Sequence, residues 1–187
     1  MGPHVHNNNN SLLERAVDGD LDAFKTIVEE HQKFVYRAAF RLLAHEEDAR
    51  DATQECFVRV WKNLHTFDRS KKLTTWLYKI IANLCFDDLR RAYKKRRTGL
   101  ESKMYQIASD NDIEKETADN DLAQKIRIIS NDLKPQQRMV FVLRDLQELE
   151  TREIAEILNI SLGAVKSNLF YARKNIREKL KKLGYVE

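Results

Sequence analysis

The chain has 187 residues, 42% of them hydrophobic and 33% charged, with five glycines and two prolines. That balance supplies packed cores and exposed helical faces, and it excludes a turn-rich β-protein. The formal net charge of +4 is modest, but it is unevenly spread, with basic stretches on either side of an acidic one.

Cys56 and Cys85 are the only cysteines, far apart and without CxxC or zinc-like His spacing, so two buried thiols are expected rather than a metal centre or a disulfide framework. No apolar run approaches the roughly 20 residues that span a bilayer, so membrane insertion is not expected. Residues 1–10, MGPHVHNNNN, lack the apolar core of a signal peptide and read as an appended tag.

Ser11 to Glu14 has the spacing of a capping box, which predicts a short helix starting there and stopping near Gly19. A longer helix follows from about Asp20 to Ala44, with Phe24, Ile27, Val28, Val35, Ala38, Ala39 and Leu42 at helical spacing. A third is expected from about Glu46 to Leu64, its apolar face made by Ala49, Ala52, Phe57, Val60, Trp61 and Leu64. His65 to Lys72 reads as a basic loop. A fourth helix begins near Thr74 and enters the cluster RRAYKKRR, Arg90 to Arg97, with six positive charges in eight residues.

From Thr98 to Asp119 the apolar residues thin out. Between Glu101 and Asp121 seven Asp or Glu face two Lys, the composition of a linker. Helices resume near Leu122, and Pro135 suits a first helical turn, where its missing N–H costs little. The fold class is all-α, in two small domains: residues 11–97, a flexible acidic linker at 98–121, and residues 122–187.

Thr151 to Arg173, TREIAEILNISLGAVKSNLFYAR, has the pattern of a helix-turn-helix. Ile154, Ala155 and Leu158 face one short helix inward, Asn159 and Ile160 turn the chain, and Ser161 caps the next helix. Val165, Leu169, Ala172 and Ile176 make the second helix's inner stripe. Lys166, Ser167, Phe170, Tyr171, Arg173 and Lys174 are left on the outer face, residue types that reach base edges and phosphates in a major groove. An ordinary helical hairpin with a solvated basic face remains the alternative.

On the fourth helix Leu77, Ile80, Ile81 and Leu84 form the core stripe. Trp76, Lys79, Asn83, Asp87 and Arg90 run beside it. An aromatic, an amide and cations along one ridge suit single-stranded nucleic acid, although Trp76 also fits a core and Asn83 a plain helix surface. On the third helix Asp48, Asp51, Gln54 and Glu55 share a polar face. Phosphates repel such a face, so it is either a protein contact or simply solvated.

Over nearly its whole length, about Leu12 to Leu183, the chain resembles the extracytoplasmic-function group of bacterial RNA polymerase sigma factors. The strings that carry the resemblance are DARDATQECFVRVWKNLHTF (Asp48 to Phe67), TTWLYKIIANLCFDDLRR (Thr74 to Arg91) and LKPQQRMVFVLRDLQELETREIAEILNISLGAVKSNLFYARKNI (Leu133 to Ile176).

The resemblance implies that the first domain docks on the polymerase clamp helices through Asp48, Asp51, Gln54 and Glu55. It implies that Phe67, Lys71, Lys72, Trp76, Lys79, Asn83, Arg90 and Arg91 melt and read the minus-10 element, capturing a flipped base. The second domain would read the minus-35 element through Arg144, Thr151, Lys166, Ser167, Asn168, Phe170, Tyr171, Arg173 and Lys174. Its implied partners are core RNA polymerase (clamp helices and flap), promoter DNA and an anti-sigma factor; its implied location is the cytoplasm.

Three departures stand out. Asn168 and Tyr171 occupy positions where many relatives carry Arg. Glu150 replaces the Ser or Thr that commonly precedes the first helix of the motif, where an acid suits the helix dipole but repels phosphate.

Two other function classes fit the sequence less well. A conventional helix-turn-helix regulator that binds duplex operators without polymerase would need neither the acidic face nor the Trp76/Asn83 ridge. A helical hydrolase built on His45, Glu46, Glu47 and Asp48 lacks HExxH spacing, and no P-loop, nucleophile elbow or Cys/His pair is present. No catalysis and no cofactor are expected.

Overall fold

The computed structural model describes residues 4–97, 125–126 and 128–185, with side chains from Ser11 onward. Among the described residues every regular element is helical. The helices are α1 (His4–Val17), α2 (Leu21–Leu43), α3 (Glu46–Asn63), α4 (Leu73–Arg97), α5 (Pro135–Phe141), α6 (Thr151–Leu158) and α7 (Leu162–Lys182). A 3-10 turn (Leu64–Thr66) follows α3, and a π-helical turn (Val142–Leu146) follows α5.

Caps place the boundaries. The Asp20 carboxylate accepts the backbone N–H groups of Asp22 and Ala23, both at 3.0 Å, and starts α2. The hydrogen bond from Ala23, the next from the Arg15 side chain, and Arg15's charge hold that carboxyl below its ordinary range. Ala44, in the left-handed region at φ 53°, ends α2 with its N–H on the Phe40 carbonyl at 2.7 Å. Pro135 sits in the first turn of α5, as its sequence position implied.

The first helix starts upstream of its expected cap. The helix expected from Ser11 begins at His4, so Ser11 lies inside α1 and caps nothing. A capping-box spacing describes only local geometry, and the helical stretch simply runs further upstream. The expected linker and the resumption near Leu122 fall outside the described residues.

The first module packs α1, α3 and α4 around α2. Ile27, Val35, Leu42, Ala49, Cys56, Val60, Leu77 and Ile81 are closed to solvent at its centre. Each large apolar side chain buried there contributes about 1.5–3 kcal/mol relative to exposure. In the second module α5 and α6 pack on α7, closing Met139, Val140, Leu143, Ile154, Val165 and Ala172.

The modules also touch. α4 packs against both α5 and α6, and the buried residues of the two modules form one continuous cluster. The Tyr78 hydroxyl donates to the Gln147 side-chain carbonyl across this contact. Tyr78's ring lies 6.1 Å from that of Phe34 on α2. α4 therefore buries more than its predicted stripe: Tyr78, Ala82, Cys85 and Leu89 are also closed, while Ile80 is only half-buried.

Both cysteines are free and buried, as expected from the sequence. Burial pushes the Cys56 thiol up to about 12 and raises that of Cys85 as well.

Candidate nucleic-acid interface

The second module is a helix-turn-helix in geometry as well as pattern. Asn159 takes the left-handed conformation at φ 52° and ends α6, its N–H on the Ala155 carbonyl. Ser161 Oγ accepts the Ala164 N–H at 3.1 Å and starts α7. At the other end of α6, the Glu153 carboxylate accepts the Glu150 backbone N–H at 2.9 Å. An acid at position 150 thus fits the helix start without a hydroxyl cap.

Lys166, Ser167, Phe170, Tyr171, Arg173 and Lys174 all lie on the exposed face of α7. Phe170 is 63% exposed and Tyr171 51%, and their rings meet edge to face at 5.4 Å. Lys166, Phe170, Arg173, Lys174, Arg177 and Lys181 share one open face along α7, with Glu178 among them. Arg177 and Lys181 extend the basic surface beyond the residues expected from the motif.

Four candidate side chains on this surface are engaged within the protein, among them Lys174, which stands 4.0 Å from the Glu178 carboxylate. The Asn168 amide donates to the Ala164 carbonyl at 2.8 Å and is half-buried. Arg144 donates to the Leu149 carbonyl at 2.9 Å and stands 3.7 Å from the Glu150 carboxylate. Arg173 forms a two-pronged pair with Asp145 of the π-helical turn, Nε to Oδ2 at 2.9 Å and Nη2 to Oδ1 at 2.6 Å. Hydrogen bonding to Asp145 holds the guanidinium further toward its charged form. Thr151 is half-buried at the start of α6.

On the first module Phe67 and Trp76 come together, ring centroids 5.1 Å apart, both half-buried against the core. Trp76 is thus neither a free stacking platform nor a closed core residue. The Lys72 carbonyl accepts the N–H groups of Thr75 and Trp76, so the loop leads directly into α4. Asp68 accepts from the Ser70 hydroxyl and backbone, which tightens the loop and lowers the Asp68 carboxyl's pKa. The loop is tied to α1 by Arg69 and Glu14 at 2.8 Å.

Lys71, Lys72, Lys79 and Arg90 are exposed and Asn83 is half-buried. Arg90 lies over the Phe86 ring at 5.7 Å, and Arg91 pairs with Asp88.

On α3, Asp51, Gln54 and Glu55 are exposed, Glu55 pairing with Arg59 at 2.9 Å. Asp48 is half-buried and turned to His45, 3.2 Å away. Val58, 45% exposed, continues the stripe of Asp51, Gln54 and Glu55 at helical spacing. An exposed β-branched residue in that register was the available signal for it.

A capped helix-turn-helix with an aromatic and basic outer face, beside a helical module with a cationic ridge, defines a two-module DNA-binding protein. Sigma-70 region 2 matches residues 27–95, and Sigma-70, region 4 matches residues 126–176. The ECF RNA polymerase sigma factor SigW of Bacillus subtilis is 34% identical over 185 residues, spanning 91% of this chain and 96% of that protein. The ECF RNA polymerase sigma-E factor of Haemophilus influenzae is 27% identical over 183 residues, spanning 92% and 95%.

Among solved structures, CnrH in complex with the cytosolic domain of CnrY aligns over 93% of this chain and 97% of its own, with TM-score 0.58 and 25% identity. Sigma factor RpoE in complex with the anti-sigma factor NepR, from Bartonella quintana, shares the fold at TM-score 0.63 and 20% identity, over 86% and 98%. The chain belongs to the ECF RNA polymerase sigma factors, which direct core polymerase to promoters and initiate transcription.

Proposed function

We propose that the two modules divide promoter recognition between them, without catalytic chemistry or a cofactor of their own. Residues 122–187 read the minus-35 element in the major groove through the outer face of α7, with Arg144 and Thr151 near the backbone. Residues 11–97 melt and read the minus-10 element through Phe67, Lys71, Lys72, Trp76, Lys79, Asn83, Arg90 and Arg91. The stripe of Asp51, Gln54 and Glu55, with Asp48 at its edge, docks on the polymerase clamp helices, and the second module meets the flap. Residues 98–121 connect the two.

The observation that carries this reading is the α7 face, where Phe170 and Tyr171 stand exposed among Lys166, Ser167 and Lys174. Two adjacent aromatics left in water are unfavourable unless something covers them, and cations around them select a polyanion. The comparison proteins CnrH and RpoE, whose structures hold the cytosolic domain of CnrY and the anti-sigma factor NepR, support an anti-sigma partner here too. Among the described residues no helix is long and apolar enough to cross a membrane, which fits work in the cytoplasm.

Transcription in vitro from a promoter library, with purified core polymerase and the chain supplied or omitted, tests the reading. Defined start sites should appear only when the chain is present. Identical start sites in both reactions would overturn it.

A further inference from the structure

The Arg173–Asp145 pair is asymmetric in its exposure. The Arg173 side chain is 58% exposed and that of Asp145 only 21%, so the arginine carries most of the pair's solvent-facing surface. Guanidinium carries five N–H donors in a rigid plane, and Asp145 takes the edge made by Nε and Nη2. The opposite edge, Nη1 with the second Nη2 hydrogen, remains available. Arg173 lines the same open face of α7 as Lys166, Phe170 and Lys174.

We propose that Asp145 is a positioning residue for promoter reading: it clamps one edge of Arg173 and so presents the other as a fixed pair of donors to a paired acceptor on DNA. The acceptor is either the O6/N7 edge of a guanine or the two free oxygens of one phosphate, since both match a planar fork. This rests on α7 being the helix that reads minus-35 DNA.

The clamp has two physical effects. An unclamped arginine loses side-chain entropy on binding and can reach several phosphates, whereas a clamped one is already ordered and reaches one place. The carboxylate also cancels most of Arg173's charge, so the pair adds little to binding that any DNA sequence would receive. The π-helical turn carries two adjacent charged residues in opposite settings, Arg144 directed to the Leu149 carbonyl and Asp145 to α7. Asp145 reaches the recognition helix from a separate element 28 residues earlier in the chain.

The test uses holoenzyme assembled from core polymerase and the full chain. Its affinity is measured for promoters with each minus-35 base pair replaced in turn, and for promoters with each nearby phosphate replaced by an uncharged methylphosphonate. The chain is tested unaltered and as Lys166→Ala, Asp145→Ala, Asp145→Asn, Arg173→Ala and the Asp145→Ala/Arg173→Ala double variant.

Arg173→Ala should erase the penalty at one position, a base pair or a phosphate, and the arm that responds identifies the acceptor. Asp145→Ala should reduce the same penalty at least fivefold, Asp145→Asn should reduce it less, and the double variant should match Arg173→Ala. Asp145→Ala should also bind substituted promoters as tightly as the unaltered chain, or more tightly.

Penalties in Asp145→Ala and Asp145→Asn that parallel those of the unaltered chain at every position would overturn the clamp and leave the pair a structural strap. If Lys166→Ala alters a minus-35 preference while Arg173→Ala alters none, the clamp falls and the reading of α7 survives. If no α7 variant alters any preference, that reading itself fails.

Discussion

Replacing Tyr78 with Phe removes one hydroxyl and leaves a ring of the same shape against Phe34. The lost hydroxyl is the donor to Gln147 across the contact between the modules. A hydrogen bond of this kind contributes a net ~1 kcal/mol, and an orphaned buried partner raises the cost to about 1–3 kcal/mol. Gln147 is such a partner, because its Nε2 is buried without a hydrogen bond, so losing Tyr78 leaves the amide unsatisfied at both ends.

At about 1.4 kcal/mol per tenfold, the Tyr78→Phe change should shift the balance between packed and separated modules roughly five- to hundredfold toward separation. Energy transfer between dyes at Glu29→Cys and Lys182→Cys reads that balance directly, since both positions are exposed and the native thiols are buried. The low-transfer fraction should rise while helical content stays constant. An unchanged distance distribution would refute the claim that this hydrogen bond helps hold the modules together.

Ser161→Ala removes the N-terminal cap of α7 and should lower urea stability by about 1 kcal/mol. A Ser161→Thr variant should keep most of it. Combining Asp51→Ala with Gln54→Lys should weaken core-polymerase binding on the order of tenfold in a pull-down, with an unchanged circular dichroism spectrum.

Unfolded thiols ionise near pH 9, while burial keeps the Cys56 thiol protonated up to about 12. Between those values the folded state holds more protons than the unfolded one, so Cys56's contribution is intact below about pH 9 and is lost as pH rises. In denaturant titrations from pH 9 to 11, Cys56→Ala should therefore lose stability less steeply than the unaltered chain, by up to ~1.4 kcal/mol per pH unit. Equal slopes would contradict the burial assigned to that thiol.

What the sequence discloses about this protein is what repeats locally. The ends of α2 and α3, the start of α4 and the Ser161 cap that opens α7 fall within a residue or two of expectation, because apolar spacing and nearby caps act within one helical turn. The inner stripe of Val165, Ala172 and Ile176 was legible for the same reason. Contacts between distant residues were not. Tyr78 meets Gln147 across 69 residues, Arg69 meets Glu14 across 55, and Arg173 meets Asp145 across 28, and no periodicity marks such partners. The extra burial of α4 was not legible because part of what packs on this helix, α5 and α6, comes much later in the chain. Ser11 misled in the opposite direction, since a valid local motif lay inside a longer helix.

The length of α7 limits how much of its basic face one stretch of duplex can engage. At 1.5 Å per residue, Lys181 stands about 22 Å along the axis from Lys166. A major groove is only ~8.5 Å deep. If α7 enters the groove end-on with Lys166 at its floor, as the proposed minus-35 reading allows, Lys181 lies beyond the rim like the handle of an inserted key. Neutralising Lys181 should then leave the base preference proposed for α7 unchanged.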